Sequence, residues 1–314
     1  MFFNNNIEKA INDKKIYNAV IINGLLEIET IQFFVKNNFK HIAFPEMYDL
    51  PFVNNGDIFF YKNDKRITLC SNQAMRISAA SSLYDKVFCI SDCFRNEYNN
   101  DGAHLSTFKM LEVEFKGNKE EFLFDIIEAY LKHMIDWFNN YIENKELTNI
   151  FKKIIVDFPI EKKEFDEIYD EIFNDKSIKY SDSIYFIDDE ITKSISKPIF
   201  IMYYPSRARW RSLKKDDKHS YLYNLILPNR YGELFEFSLK EMDYEFYYSR
   251  FKENGSLDYY KWYLDSIKDD KANHSAFGMG IERLGAWLMG LESIDEQLLF
   301  SCIPEGGKKS VKLQ

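Results

Sequence analysis

Apolar side chains recur every three to four residues over several stretches of the chain, which is the spacing of an amphipathic helix. The longest such stretches are residues 7–37 and 120–146, and shorter ones lie at 72–84 and 281–289. Between them run short apolar segments rich in β-branched and aromatic residues, namely RITLC, DKVFCISDCF, FKMLEVEF, PIFIMYY, YLYNLIL and ELFEFSL. We interpret these segments as strands.

The order of these elements determines the expected fold class. Strands and helices follow one another in a mixed order with hairpin-like pairs, rather than in regular strand-helix-strand units. The pattern predicts an α+β protein in which helices flank an antiparallel β-sheet. We expect a single domain over residues 1–314 with an insertion at about 147–196, where the sequence is charged and irregular.

Composition narrows the class of protein. With 46% hydrophobic and 29% charged residues, the 314-residue chain can bury a full core, which excludes a disordered tail or a mini-protein. Apolar runs such as 198–204 are far shorter than the roughly 20 residues of a membrane helix, and residues 1–13 lack the apolar stretch of a secretory signal. We therefore expect a cytoplasmic protein without a membrane partner.

The four cysteines form no CxxC pair and favour reduced structural thiols. A net charge of -9 does not favour a large nucleic-acid footprint.

One candidate site lies in the segment FRNEYNNDGAHLSTFKMLEVEF. Arg95 and Glu97 are two residues apart, so on a strand both side chains face the same side, and an arginine and an acid on one face can hold two parts of one ligand. Glu112 and Glu114 have the same spacing after a polar turn. An ordinary surface ion pair is the alternative for any isolated pair of this kind. The residues that a hairpin would bring together are Arg95, Glu97, His104, Phe108, Glu112 and Glu114.

A second candidate site lies in the segment FGMGIERLGAWLMG. Gly278 and Gly280 allow close backbone approach before Glu282 and Arg283 begin an amphipathic helix. An arginine is unfavourable at a helix N-terminus because the helix dipole is positive there, so its presence indicates a bound anion. A simple packing turn is the alternative.

In this order, the two segments resemble motifs 2 and 3 of the class II aminoacyl-tRNA synthetases, in particular the aspartyl and asparaginyl subgroup. Motif 2 of that subgroup reads FRxE, a loop and HLxEFxxLExE, where this chain has FRNE, a loop of the same length and HLSTFKMLEVE. NHSAFGMGIERL resembles HSGFGLGFERL of motif 3, YGELFEF resembles the GEIIGG strand, and KPIFIMYYP resembles PVFVxxYP. Ser71 and Gln73 match an SxQ element, and Pro45 matches the motif 1 proline of the dimer interface. The resemblance covers roughly residues 25 to 300.

The resemblance implies a catalytic domain of the class II synthetase fold that binds bent ATP and presents its α-phosphorus to an amino-acid carboxylate. Since the attacking group is already an anion, catalysis needs positioning and charge neutralisation rather than a general base. Arg95 would hold the α-phosphate, and Glu97 would accept a hydrogen bond from the adenine amino group. Phe108 and Arg283 would cover the two faces of adenine, and His104 would contact the γ-phosphate together with Arg283. The residues implied for ATP binding are Arg95, Glu97, His104, Phe108, Gly280 and Arg283, with Arg95 and Arg283 as the catalytic pair.

The same resemblance implies residues for the amino acid and the metal. Glu233 corresponds to a metal-binding glutamate, and hard oxygen ligands suit a Mg²⁺ ion that bridges to phosphate. Asn224 stands where the family has an aspartate that helps to bind this metal. The residues implied for the amino acid are Ser71, Gln73, Glu112 and Lys240, of which Lys240 is expected to face the substrate side chain.

Departures from the family pattern cluster on the amino-acid side of the site. Lys240 stands where the family has the arginine that reads the substrate side chain, and a lysine keeps the charge but loses the bidentate fork. Glu236, Phe237 and Ala276 replace glycines, so we expect a reshaped pocket. Further replacements are Ala103 for an arginine, Thr107 for a glutamate and Asp295 for an arginine.

The leading hypothesis is an ATP-dependent ligase that converts aspartate or a close analogue into an aminoacyl adenylate. The adenylate would pass to ammonia or another small nucleophile, as in the archaeal-type asparagine synthetase, a stand-alone catalytic domain that this chain resembles. We expect no N-terminal anticodon-binding β-barrel. One alternative is an asparaginyl- or aspartyl-tRNA synthetase-like protein that acts on tRNA without anticodon recognition. Another is a non-catalytic nucleotide-binding paralogue. The expected ligands are ATP, Mg²⁺ and a small amino acid, and the expected partner is a second copy in a homodimer.

Overall fold

The computed structural model describes residues 2–48, 57–96, 101–117, 119–173, 184–206, 208, 210–270 and 272–304. The strands are β1 (Phe2–Asn5), β2 (Lys40–His41), β3 (Met47–Tyr48), β4 (Phe59–Lys62), β5 (Lys65–Leu69), β6 (Lys86–Phe94), β7 (Thr107–Lys116), β8 (Glu161–Glu164), β9 (Ile199–Met202), β10 (Leu222–Leu227), β11 (Gly232–Lys240), β12 (His274–Gly280) and β13 (Phe300–Ile303). The helices are α1 (Ile7–Asn12), α2 (Lys14–Lys36), α3 (Ala74–Leu83), α4 (Glu120–Asn144), α5 (Phe165–Phe173), α6 (Ile184–Ser194), α7 (Tyr244–Glu253), α8 (Leu257–Ile267), α9 (Ile281–Met289) and a 3₁₀ helix (Ile294–Gln297).

Eight strands form a central sheet in the order β2-β6-β7-β12-β11-β10-β9-β8. The inner neighbours run antiparallel, whereas the two edge pairs, β2 with β6 and β8 with β9, run parallel. The predicted α+β fold with a helix-flanked antiparallel sheet is therefore confirmed. Strand β1 pairs with β13, and β3, β5 and β4 form a small sheet of their own.

Helices α2, α4 and α9 contribute to the main core on one side of the sheet. The side chains of Leu111, Val113 and Phe115 alternate along β7 and are buried in this core with Leu26 of α2. Full burial of such a side chain stabilises the fold by roughly 1.5–3 kcal/mol. By length and composition alone α2 could cross a membrane. In this fold, however, α2 packs against α4, α9 and the 3₁₀ helix, as a core helix of similar composition would.

Gly285 shows how tightly α9 is held in this core. A Cβ atom at this position would lie 2.0 Å from Gln297 Oε1 and 2.9 Å from Leu26 Cδ1. Gln297 in turn donates through Nε2 to Glu282 O at 2.6 Å and to Ile294 O at 3.0 Å. The absent side chain therefore allows the 3₁₀ helix to lie directly against α9.

The charged and irregular sequence of 147–196 contains regular elements at 161–173 and 184–194, whereas residues 147–160 form neither helix nor strand. These elements are β8, α5 and α6, and β8 extends the central sheet. Phe165, Ile187 and Ile191 are buried in a second core with Tyr204 and Ile226. The charged residues of these short elements obscured their apolar positions in the sequence. That the stretch is an insertion remains a prediction.

Helices α3, α7 and α8 form a third packed group. Tyr247, Phe251 and Tyr263 are buried in it, so the tyrosine-rich run of α7 is a packed helix face. Ser78 of α3 donates a hydrogen bond to Glu114 Oε1 at 2.8 Å, which places this group on the side of β7 that faces away from the main core. The four cysteines are free, in agreement with the expected reduced thiols.

Candidate active site

The face of the sheet that is turned away from α2 and α4 carries a cavity of about 1640 Å³. Ligand cavities typically measure about 300–1,000 Å³, so this one has room for a nucleotide and a second small molecule. Because side chains alternate along a strand, every second residue of three neighbouring strands faces the cavity. These residues are Phe108, Met110, Glu112 and Glu114 on β7, Ala276, Gly278 and Gly280 on β12, and Glu236, Ser238 and Lys240 on β11.

The middle strand of this floor carries no side chain larger than a methyl group on the cavity side. Gly278 lies between Glu112 of β7 and Glu236 of β11 in the strand register. A Cβ atom at Gly278 would lie 3.4 Å from Met110 Cε, which is ordinary contact. At Gly280 it would lie 3.8 Å from Arg283 Cβ, so the fold itself does not require glycine there. The small residues instead leave a groove between two acidic strands.

Arg95 lies directly beyond the end of β6. Its backbone N–H donates to Ser106 O at 2.9 Å across the β6–β7 pair. Its Nε and Nη2 both donate to Ser71 O, at 3.2 and 3.1 Å, and its Cζ lies 4.9 Å from the centre of the Phe108 ring. A carbonyl and an aromatic face leave the positive charge of the guanidinium available to an anion.

Arg283 reaches the same cavity from the first turn of α9. Its Nη1 donates to Glu233 O and its Nη2 donates to Ala103 O at 3.2 Å. Burial lowers the pKa of Arg283, and the charge of Glu233 opposes this. His104 also lines the cavity, where its Nδ1 lies 2.9 Å from Asp101 Oδ2. Burial would raise the pKa of Asp101, but the contact with His104 outweighs it and the pKa is lowered.

Glu282 is buried beside Arg283 and accepts the backbone N–H of Lys109 with both carboxylate oxygens, at 3.1 and 3.0 Å. Burial raises the pKa of Glu282 to about 7, although the backbone donors and the charge of Lys109 act in the opposite direction. The contact fixes α9 to the start of β7.

Glu112 and Gln73 meet at the other end of the cavity. The backbone N–H of Gln73 donates to Glu112 Oε2 at 2.6 Å, and Gln73 Nε2 donates to Pro45 O at 3.3 Å. Burial raises the pKa of Glu112, while the charges of Arg211, Arg95 and Lys240 act against it. Ser71, Gln73 and Glu112 all line the cavity, and their contact with an amino acid remains a prediction.

Lys240 lines the cavity, but its ammonium group belongs to a buried network. Its side chain is only 7% exposed, and its Nζ lies 3.4 Å from Glu114 Oε2. Glu114 also accepts from Ser78 and Ser81 at 2.8 and 3.0 Å, and His274 Nδ1 lies 3.0 Å from it. Burial would raise the pKa of Glu114, but Lys240 and His274 outweigh it and lower the pKa to about 2. Most of the bonding capacity of Glu114 and Lys240 is therefore used inside the protein.

Asn224 and Glu233 lie together because a β-bulge between Leu225 and Ile226 shifts the register of β10 and β11. Asn224 Nδ2 donates to Glu233 Oε2 at 3.1 Å and to Asp188 Oδ2 at 3.0 Å. Asn224 Oδ1 is buried and has no hydrogen-bond partner among the residues that the structure describes. Within that part of the chain no group of three or more His, Cys, Asp or Glu side chains could hold a metal. Two carboxylates and an unsatisfied amide oxygen are nonetheless hard oxygen donors of the kind that suit Mg²⁺.

Most of the predicted site residues line this one cavity. They are Ser71, Gln73, Arg95, His104, Phe108, Glu112, Glu233, Lys240, Gly280 and Arg283. Glu97 lies outside the described residues, and Asn224 lies behind Glu233. Sequence reasoning did not identify Asp188 or Arg211, which also line the cavity. Because Asn224 stands where the family has a metal-binding aspartate, the sequence offered a reason to expect another carboxylate, such as Asp188, beside it. No motif marks Arg211.

An antiparallel sheet whose motif 2 and motif 3 arginines share a cavity defines the catalytic fold of class II aminoacyl-tRNA synthetases. The chain belongs to this family: the model for class II tRNA synthetases (D, K and N) matches residues 10–303.

The chain is also similar to individual proteins of this family. The chain is 30% identical over 287 residues to asparagine–tRNA ligase of Lactobacillus johnsonii, which covers 86% of this chain and 65% of that protein. Its fold is similar to asparaginyl-tRNA synthetase from Pyrococcus horikoshii complexed with asparaginyl-adenylate, with a TM-score of 0.81 and 22% identity over 95% of this chain and 71% of that one. The enzyme from Entamoeba histolytica in complex with asparaginyl-adenylate gives a TM-score of 0.86 and 20% identity over 96% and 71%. The chain thus spans just under two thirds of the length of the relatives from Lactobacillus johnsonii and Lactobacillus gasseri.

Proposed function

We propose that this protein activates aspartate or a close analogue with ATP and forms an aminoacyl adenylate. The observation that carries this proposal is that Arg95 and Arg283 line one cavity with their side chains bound to backbone carbonyls. Two guanidinium groups held in this way are preorganised for phosphate oxygens.

The reaction needs little covalent help from the protein. A carboxylate oxygen of the amino acid attacks the α-phosphorus, the bond from that phosphorus to the bridging oxygen breaks, and pyrophosphate leaves with the electron pair. Arg95 neutralises charge on the α-phosphate, and Arg283 and His104 neutralise charge on the leaving group. Phe108 supplies a stacking surface for adenine, with Arg283 on its other face. Glu97 is assigned to the adenine amino group.

Mg²⁺ would be held by Glu233 and Asn224 Oδ1, and we add Asp188 because it replaces the carboxylate that Asn224 lacks. When bound, the ion supplies positive charge to the phosphates. Titration with Mn²⁺ followed by electron paramagnetic resonance tests this assignment. Asp188→Asn should weaken binding about tenfold, as loss of a carboxylate ligand does, and Asp189→Asn should not. Equal Mn²⁺ affinities of Asp188→Asn and the wild type would show that Asp188 is not a metal ligand.

A homodimer is supported by exposed apolar side chains on α1, α2 and the adjoining β1 and β13. They are Phe3, Ile11, Tyr17, Ile28, Val35 and Phe300. Large contiguous apolar surfaces mark interaction sites. Light scattering of the purified protein tests this, and a monomeric mass at micromolar concentration would contradict it.

We also propose a cytoplasmic location, since free thiols such as Cys70 and Cys93 are typical of reducing compartments.

The proposed acceptor of the adenylate is ammonia or another small nucleophile. The relatives named asparagine–tRNA ligase favour a second candidate, the end of a tRNA bound without anticodon recognition. Exchange of labelled pyrophosphate into ATP with a panel of amino acids tests the first step. Exchange with aspartate or asparagine supports the proposal. Absence of exchange with every amino acid, together with nucleotide binding, would overturn it in favour of a regulatory paralogue. Addition of ammonia or of bulk tRNA then identifies the acceptor by the product formed.

A further inference from the structure

The lysine that replaces the side-chain-reading arginine is poorly placed for that role. Lys240 is buried, and its ammonium group lies against Glu114 at 3.4 Å. Burial lowers the pKa of Lys240, and Glu114 opposes this change. A compact ammonium group that is already paired cannot offer the two parallel donors of an arginine. Another donor is therefore needed to bind the side-chain oxygen of a substrate at this end of the cavity.

Arg211 lies at the same end and is held there by the backbone. Its neighbour Ser212 forms an antiparallel bridge with Lys240, and Glu241 N donates to Arg211 O at 3.0 Å. The Arg211 side chain is half-buried and lines the cavity with Lys240 and Glu112. The segment that carries it is thus fixed against the end of β11.

The guanidinium of Arg211 has no counter-ion within 4.0 Å in the described part of the chain, and no hydrogen bond from it is found there. The guanidinium of Arg211 lies over the ring of Trp210, whose centre is 5.9 Å from Arg211 Cζ. An arginine that is partly removed from water without a partner is unfavourable, and a ligand oxygen would relieve this cost.

Glu112 provides a complementary acceptor nearby. Its Oε2 accepts from Gln73 N, whereas its Oε1 has no hydrogen-bond partner among the described residues. Glu112 is 6% exposed, and the surface that remains faces the cavity. Burial raises the pKa of Glu112, and the hydrogen bond from Gln73 N and the charge of Arg211 act against this rise. One end of the cavity therefore presents an arginine donor fork and a carboxylate acceptor.

We propose that Arg211, rather than Lys240, reads the substrate side chain and that it does so together with Glu112. A carboxamide fits this pair: its carbonyl oxygen accepts from Arg211, and its NH₂ group donates to Glu112 Oε1. A side-chain carboxylate would face the Glu112 charge instead. The close analogue of aspartate in the proposed function is then asparagine. With asparagine as the activated amino acid, transfer of the acyl group to ammonia would release AMP and give asparaginamide rather than asparagine, and transfer to an amine or a tRNA end would give the corresponding amide or ester. This inference rests on the proposed function.

The test compares arginine variants by pyrophosphate exchange. Arg211→Met should raise the KM for asparagine at least about 30-fold and leave the KM for ATP within about twofold, because the lost contacts are made by the amino acid alone. Arg211→Lys should restore part of the loss. Arg250→Met is the matched control, since this exposed arginine lies near Glu253 at the cavity rim and should change neither constant.

Direct binding separates recognition from chemistry and from stability. Calorimetry with the sulfamoyl-adenosine analogues of asparaginyl and aspartyl adenylate should show tighter binding of the asparaginyl form, and Arg211→Met should remove this preference while the melting temperature stays unchanged. An unchanged preference in Arg211→Met, or a preference that moves only with Lys240→Arg, would overturn the inference while the proposed function stands. Exchange with aspartate but not with asparagine would do the same. No exchange with any amino acid would overturn both.

Discussion

The two ends of the cavity hold their positive charges differently. At the end proposed to bind the nucleotide, called the nucleotide end, Arg95 and Arg283 donate to the backbone carbonyls of Ser71, Ala103 and Glu233. At the end proposed to bind the amino acid, called the amino-acid end, Lys240 lies against the buried carboxylate of Glu114. A carbonyl fixes the direction of a guanidinium without cancelling its charge, whereas a carboxylate cancels most of it. The first arrangement suits the binding of an anion, and the second mainly stabilises the fold.

The replacement of the side-chain-reading arginine by Lys240 follows the same division. Arg95, His104, Phe108 and Arg283 match the motifs and line the nucleotide end. The replaced arginine at Lys240 lies at the other end. A motif residue therefore indicates chemistry only when its charge is still available in the folded protein.

The largest expected effect comes from removing a charge at the nucleotide end. Arg95→Ala should reduce pyrophosphate exchange by about 1,000-fold, or about 4 kcal/mol, because no other described group donates from the same place to an α-phosphate. The dimer, measured by light scattering, should remain. Arg250→Ala serves as the control at the rim of the cavity. Exchange that survives in Arg95→Ala would show that this end of the cavity does not hold the phosphates.

The corresponding change at the amino-acid end should affect stability. Lys240→Met leaves the buried Glu114 without its cation and should lower the free energy of unfolding by about 3–5 kcal/mol. Urea denaturation at neutral pH measures this. The double variant Lys240→Met with Glu114→Gln should recover most of the loss, since no buried charge remains unpaired. A single variant as stable as the wild type would mean that Lys240 is free to serve the substrate.

The sequence predicted much of the fold because its strands and long helices have clear apolar periodicity. Helix α4, for example, was expected at 120–146 and is found at Glu120–Asn144. The motifs also led to the residues of the cavity, since they stand at fixed places on β7, β12 and α9. The pairing of Lys240 with Glu114 could not be predicted, because those residues meet only when β11, β12 and β7 assemble. Arg211 escaped notice because it belongs to no periodic element.

Glu114 and Glu282 are buried carboxylates at opposite ends of the cavity, and their pKa values are shifted in opposite directions. The pKa of Glu114 is lowered to about 2, so its contribution to stability is present above its ordinary pKa of 4.5 and is lost as the pH falls toward 2. The pKa of Glu282 is raised to about 7, so its ionisation destabilises the fold as the pH rises from 4.5 to about 7. The two residues should therefore affect stability over different pH ranges and with opposite sign.

Glu282→Gln tests the smaller of these effects because glutamine keeps an acceptor for Lys109 N and cannot ionise. A pKa raised from 4.5 to about 7 corresponds to about 3 kcal/mol, which is the upper bound for the stability gained at pH 8. Urea denaturation between pH 4.5 and 8 should show a shallower decline in the variant than in the wild type. Glu121→Gln, an exposed glutamate of α4, should follow the wild type, and Glu114→Gln should lose stability above pH 4.5. Parallel curves for Glu282→Gln and wild type would mean that Glu282 is ionised throughout. The buried carboxylates at both ends of the cavity, Glu282 and Glu114, would then both be ionised over this pH range.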